Sequence, residues 1–128
     1  MAFVLDTDVA IHLRDGHPQI TGKVAALDDV VLISIVTRVE LEGGVYREPA
    51  YSQIRRARLD AILAAVPALA FDDAAAGAYG AIVAGAGYSR RKLLDRMIAA
   101  QALVHRASLV TMNASDYADI PDLTLVAW

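Results

Sequence analysis

Val31-Leu32-Ile33-Ser34-Ile35-Val36 is a run with one small polar side chain in six positions, and four of the six are β-branched. A strand with one wet face would alternate apolar and polar residues. An unbroken apolar strand needs cover on both faces, as in a parallel sheet layered between helices. Residues 2–6, 68–71, 108–112 and 123–127 read as further short strands around the one predicted over 30–36. Helical segments separate them: one from Val9, one near 19–28, one from Thr37 to about Tyr46, and one from Ser52 to Val66. Another is capped by Asp72 or Asp73 and ended by Gly85 and Gly87, and a last one opens at Asp95. This alternation predicts an α/β fold, a three-layer α/β/α sandwich with a mainly parallel central sheet and right-handed crossovers.

The 128 residues fit one domain, 1–128, with no repeat, linker or low-complexity tract. Hydrophobic residues make up 56% of the chain and mean hydropathy is +0.40. A doubly covered sheet explains most of that excess, and apolar surface covered by a partner would add to it. The N-terminus lacks a basic stretch, and Asp6 and Asp8 break its apolar run, so it does not read as a signal peptide. The longest apolar run, Ala61 to Phe71, contains Pro67 and is too short to span a bilayer. With no cysteine, thiolate metal sites and disulfides are excluded. The expectation is a soluble, cytoplasmic protein that does not engage membranes.

Four carboxylates stand where strands end or helices begin: Asp6 after the first strand, Glu40 past the second, Asp95 at a helix start, and Asp116 past the 108–112 strand. In a parallel sheet these positions share one edge, where ligands bind. Oxygen ligands gathered there select Mg²⁺ or Mn²⁺ and suit phosphoryl chemistry. Each carboxylate also has a local explanation. Asp6 could form a turn, Thr37-x-x-Glu40 matches a helix capping box, Asp95 suits a first helical turn, and Asp116 could close an Asx-turn. Asp8 has three readings: outer ligand, helix cap or solvated residue. Together the four resist a purely structural account, because two carboxylates about 5 Å apart repel by roughly 3 kcal/mol at an effective dielectric near 20. Such a cluster requires a cation or raised pKa values.

Net charge is −3, which argues against bulk electrostatic binding of nucleic acid. Seven of the twelve basic residues nevertheless fall in two groups, Arg55, Arg56 and Arg58, then Arg90, Arg91, Lys92 and Arg96. The first reads equally as a solvated helix face. The second flanks Asp95 and, if Asp95 is catalytic, is well placed to hold phosphates beside it. His12, His17 and His105 share no metal-ligand spacing. No Gly-x-Ser-x-Gly elbow and no P-loop is present.

Four segments, in order, carry a resemblance that covers essentially the whole chain. They are Phe3-Val4-Leu5-Asp6-Thr7-Asp8-Val9, Ile33 through Leu41, Asp95 through Ala102, and Leu109 through Tyr117. The stretch from Ile120-Pro121-Asp122-Leu123 to Trp128 looks like the same family's final strand. The chain resembles PIN-domain ribonucleases, specifically VapC-type toxins of type II toxin–antitoxin pairs. The resemblance implies a Mg²⁺- or Mn²⁺-dependent endoribonuclease with Asp6, Glu40, Asp95 and Asp116 as its metal-binding and catalytic set. It places Thr7, Thr111, Asn113 and Ser115 as supporting groups, and it implies an RNA substrate, a cognate antitoxin and a homodimer. Two departures stand out: Asp8 where Asn is frequent, adding charge, and Tyr117 where Phe is frequent, a change expected to be harmless.

Two rival readings start from the same residues. Asp6-Thr7-Asp8 could be the aspartyl nucleophile motif of a phosphatase resembling the haloacid dehalogenase group. Only Lys23 and Lys92 could then serve as its lysine, and Asp72-Asp73 as its later acidic pair. The other rival is a PIN-like domain that binds RNA or protein without cleaving.

Overall fold

A computed structural model describes all residues from Met1 to Trp128. Five strands, β1 (Phe3–Leu5), β2 (Val31–Ser34), β3 (Ala68–Leu69), β4 (Ser108–Thr111) and β5 (Leu125–Ala127), form one sheet in the order β3-β2-β1-β4-β5. Every pairing is parallel, so the expected mainly parallel sheet is parallel throughout. Six helices surround it: α1 (Thr7–Arg14), α2 (Pro18–Ala25), α3 (Ile35–Arg47), α4 (Ser52–Ala65), α5 (Asp73–Ala86) and α6 (Leu93–Val104). None is long and apolar enough to cross a membrane.

Successive strand residues feed opposite cores, which is why the apolar runs are continuous. Val4 and Leu109 pack with Ile82 of α5 and with Ile98, Ala99 and Ala102 of α6. Their neighbours Leu5, Ile33 and Val110 pack on the other face with Val9 of α1 and Ile20 of α2. All five strand residues are fully buried, each worth about 1.5–3 kcal/mol relative to exposure. A third cluster, Ala10, Leu41, Val45 and Leu59, fastens α3 to α1 and α4. Gly87, at φ 88°, ends α5 in a conformation that favours glycine.

One boundary differs from the sequence reading in a way that matters for the site. The strand expected over 30–36 stops at Ser34, whose hydroxyl accepts a hydrogen bond from the Val36 amide and caps α3. The helix therefore starts at Ile35 instead of Thr37. Thr37 and Glu40 lie inside it, and the Thr37–Glu40 capping box does not form. Likewise α6 begins at Leu93, which places Asp95 within its first turn.

The chain first winds outward from β1 through β2 to β3, then returns to add β4 and β5 on the other side. The winding reverses at the boundary between β1 and β4. A crevice opens there, at the carboxyl ends of the strands.

Candidate active site

Asp6 forms the floor of that crevice. Its amide extends the sheet ladder to the Val110 carbonyl at 2.8 Å, which fixes the backbone, and its side chain is 5% exposed. One carboxylate oxygen accepts from the Thr7 amide at 2.9 Å, the other from the Thr111 hydroxyl at 2.8 Å. Thr111 in turn accepts from the Asn113 amide, so its single proton is directed at Asp6. Burial still pushes the Asp6 pKa above the ordinary carboxylate range, and the nearby Asp8 charge adds to the rise.

Glu40 comes in from α3 at the exposed rim. The Thr7 hydroxyl donates to Glu40 Oε1 at 2.9 Å and lies 2.9 Å from the Thr37 hydroxyl. Because Thr7 has one proton and gives it to the carboxylate, Thr37 is the donor of the second bond. The three side chains form a relay, Thr37 to Thr7 to Glu40, that ties α3 to α1. Sequence reasoning assigned Thr37 to a cap and missed this role.

Asp95 enters from α6, half-buried, and Asp116 sits exposed on the short turn of helix formed by Ala114–Tyr117. The Asp95 pKa is pushed up to about 6, first by burial and then by the charges of Asp6, Asp116, Glu40 and Asp8. That list of neighbours is the electrostatic signature of convergence. All four predicted carboxylates line one shallow cavity of about 210 Å³, together with Thr7, Asp8, Arg91, Leu94 and Asn113.

Asp8 is the member that the sequence left open. It projects from the first turn of α1 and accepts from the Asn113 side-chain amide and the Met112 backbone amide. The signal that could have found it is the two-residue spacing of Asp6-Thr7-Asp8 across a strand-to-helix junction. Of the other predicted supporting groups, Thr7, Thr111 and Asn113 serve the cluster. Ser115 is exposed and stands outside the cavity wall.

The predicted RNA-backbone cations divide. Arg91 is exposed and forms part of the cavity wall, and Arg90 is exposed on the same loop. Arg96 is a correction. It is 3% exposed, and its guanidinium donates to the Gly87 carbonyl and to Asp119, so it is not free to meet a phosphate. Lys92 also binds Asp119. These bonds brace the loop that carries Arg90 and Arg91 against α6.

Chemically, the cavity offers only oxygen donors on its acidic side, with several carboxylates whose mutual repulsion has no protein counter-charge beyond Arg91. That donor set fits a hard divalent cation such as Mg²⁺ or Mn²⁺. The side chains are gathered but not closed, since no group of three stands ready-made around one ion. A larger cavity of about 720 Å³ adjoins the acidic one. Glu40 belongs to both, and Arg14, Arg47 and Arg55 also line the larger. Its other two carboxylates, Asp15 and Glu48, are already paired with Arg14 and Arg55, so the unpaired acidic cluster belongs to the smaller.

Known proteins are similar to this chain over its full length. The ribonuclease VapC2 of Rickettsia felis is 26% identical over 135 residues, covering 100% of this chain and 98% of the relative. The structure of VapBC-1 from nontypeable Haemophilus influenzae matches with a TM-score of 0.81 at 28% identity, covering 100% of this chain and 98% of that one. DNA-bound VapBC from Salmonella typhimurium matches with a TM-score of 0.87 at 25% identity and the same coverage. A PIN domain model matches residues 3–123, nearly the whole of the sheet and every residue of the crevice, and the chain belongs to the PIN domain family.

Proposed function

We propose that this protein is a divalent-cation-dependent endoribonuclease, the toxin of a toxin–antitoxin pair, acting on RNA phosphodiester bonds in the cytoplasm. The convergence of Asp6, Glu40, Asp95 and Asp116 in one cavity carries this reading, with the Asp95 pKa raised to about 6 by their shared charge. The resemblance to a named ribonuclease supplies the substrate class.

Asp6, Glu40 and Asp95 would hold the principal cation, directly or through water, with Asp116 completing the set. Bound there, Mg²⁺ or Mn²⁺ supplies Lewis acidity to an attacking water and to the phosphoryl oxygens. The chain's own groups do the positioning. Thr111 and the Thr7 amide fix both oxygens of Asp6, and the Thr37–Thr7 relay fixes Glu40. Asp8, held by Asn113, adds negative charge that favours a cation. Arg91 offers the one guanidinium in the wall, suited to a backbone phosphate beside the scissile one.

The phosphatase reading loses its lysine. Lys23 lies over the Trp128 ring and Lys92 binds Asp119, and neither lines the acidic cavity. Asp72 is committed to capping α5 through the Ala75 amide. An antitoxin that offers Arg or Lys to the acidic cavity would neutralise it. The high apolar content, with Val39 65% and Leu94 45% exposed beside Glu40, supports a homodimer with an apolar surface left for such a partner.

The test is cleavage of a total RNA and tRNA mixture by protein purified free of antitoxin, with and without Mg²⁺ or Mn²⁺. Cation-dependent cleavage is expected, and Asp95→Asn should lower it by about a hundred- to a thousandfold, the scale on which transition-state electrostatics act. Activity retained by Asp95→Asn would sink the assignment. Cation binding without turnover would favour the non-cleaving binder.

A further inference from the structure

The larger cavity, about 720 Å³, is lined from α1, α3 and α4 and shares Glu40 with the acidic site. Arg14, at the end of α1, lines it while only 5% exposed, and its one charged partner is Asp15. Nε and Nη2 meet the same Asp15 oxygen, at 3.1 and 3.0 Å. Nη1 makes no hydrogen bond and lies over Gly44 of α3, where a Cβ would stand 2.6 Å from it. A guanidinium is costly to bury, and a donor arm left free calls for a further acceptor. Two adjacent glycines inside a helix are also unfavourable. Gly44 makes room for Arg14, but a Cβ on Gly43 would meet nothing within 4 Å, so packing does not account for it. It leaves bare backbone on the cavity wall, where a ligand can approach closely. Tyr46 and Arg47 line the same wall and are exposed, Tyr46 at 65%. Asp15 and Glu48 are paired with Arg14 and Arg55, and Glu40 belongs to the cation site, so Arg47 is the cavity's uncompensated charge.

We propose that this cavity seats a nucleotide of the RNA adjoining the cleaved bond, with its phosphate on Arg14 Nη1 and Arg47 and its base against Tyr46. The inference rests on the nuclease reading and extends it. Glu40 belongs to both cavities, so an RNA strand whose scissile phosphate meets the cation reaches the larger one by passing that residue. A phosphate supplies the acceptor that Arg14 lacks, and Arg47 adds the balancing charge. Cations beside an exposed aromatic ring suit a single strand, which carries phosphates on one side and stacking bases on the other.

The test is fluorescence anisotropy of a labelled single-stranded RNA on the Asp95→Asn chain with Mg²⁺, across a KCl series. Cleavage by the same substitutions in the wild-type chain is measured beside it, and each variant is melted. Arg47→Ala should lower the slope of log affinity against log salt by about 0.7. Tyr46→Ala should weaken binding at least about fivefold and leave the slope unchanged, as loss of a stacked base does. Gly44→Ala drives a methyl group against Arg14 Nη1 and should weaken binding about tenfold, the low end for a hydrogen bond to a charged group. Arg47 and Tyr46 are exposed, so their variants keep the test open if Gly44→Ala unfolds. Unchanged RNA binding in any variant that stays folded overturns the proposal. If cleavage also persists there, the nuclease reading stands and the cavity passes to a protein partner. No RNA bound by Asp95→Asn and no cleavage by the wild type overturns both.

Discussion

Asp95 and Arg96 are neighbours in the first turn of α6, and the fold treats their charges in opposite ways. Arg96 is turned inward, buried against Asp119 and the Gly87 carbonyl. Its partner gains from the pairing, as Arg96 and Lys92 hold the Asp119 pKa below the ordinary carboxylate range. Asp95 is turned towards the crevice, where burial and the charges of four other carboxylates raise its pKa to about 6. One turn of helix therefore carries a satisfied ion pair and an unsatisfied carboxylate side by side. The first serves the fold. The second is a cost to the fold unless a cation is present, and that is the mark of a group placed for function.

Breaking the satisfied side should have the largest effect. Arg96→Met leaves Asp119 and the Gly87 carbonyl without their buried donor. Removing one member of a fully buried pair costs about 3–5 kcal/mol, but Asp119 is 32% exposed and water recovers part of that. The expected loss is about 2 kcal/mol, or a melting temperature about 8 °C lower for a chain of this size. Thermal unfolding checks it, and a melting point shared with the wild type would mean the pair contributes nothing net.

The contrast also marks where sequence stops being informative. The apolar runs of β1, β2 and β4 could be read because burial on both faces permits little else. The meeting of Asp6, Glu40, Asp95 and Asp116 was readable because parallel topology brings the carboxyl ends of strands to one edge. Ser34 was misread: Ile33-Ser34-Ile35-Val36 is β-branched throughout its apolar positions, and one side-chain bond to the Val36 amide decides that the helix has begun. That shift removed the expected cap and made Thr37 part of the Glu40 relay. Asp8 depends on Asn113, 105 residues away, and no local pattern reports such a contact. Arg96 was given to RNA because it adjoins Asp95 in sequence. Successive helical residues point about 100° apart, so adjacency along a helix is no guide to a shared target.

Relieving the unsatisfied side should stabilise the protein, with a defined pH window. Asp95 has a folded-state pKa of about 6 against an ordinary 3.8. Between those values the folded chain binds more protons than the unfolded one, so without cation stability falls as pH rises through the window. Asp6, also raised, acts in the same direction. Asp95→Asn removes its share of the penalty. In EDTA above pH 6 the variant should be more stable than wild type by about 1 kcal/mol, the full shift being discounted for partial exposure. The two should converge below about pH 4. Saturating Mn²⁺ should erase the difference at high pH by stabilising only the wild type. Melts at several pH values, with and without Mn²⁺, decide it. A variant less stable than wild type at pH 8 in EDTA would show that Asp95 is structural after all.

The smallest effect should come from Arg91, which separates the loop's binding role from its bracing. Arg91 shares a loop with Arg90 and Lys92 but is exposed, makes no ion pair, and stands in the cavity wall. Its removal should leave the melting temperature unchanged, the opposite of Arg96→Met. What should change is RNA binding, read by fluorescence anisotropy in the non-cleaving Asp95→Asn background across a range of KCl concentrations. A cation that neutralises one phosphate of a single strand contributes about 0.7 to the slope of log affinity against log salt. Arg91→Ala should lower the slope by about that amount, while Arg96→Met, at a temperature where it stays folded, should leave the slope nearly intact. An unchanged slope in Arg91→Ala would remove Arg91 from the RNA path. An equal loss in both variants would mean the loop binds RNA only when Arg96 and Asp119 hold it in place, so that bracing and binding could no longer be told apart.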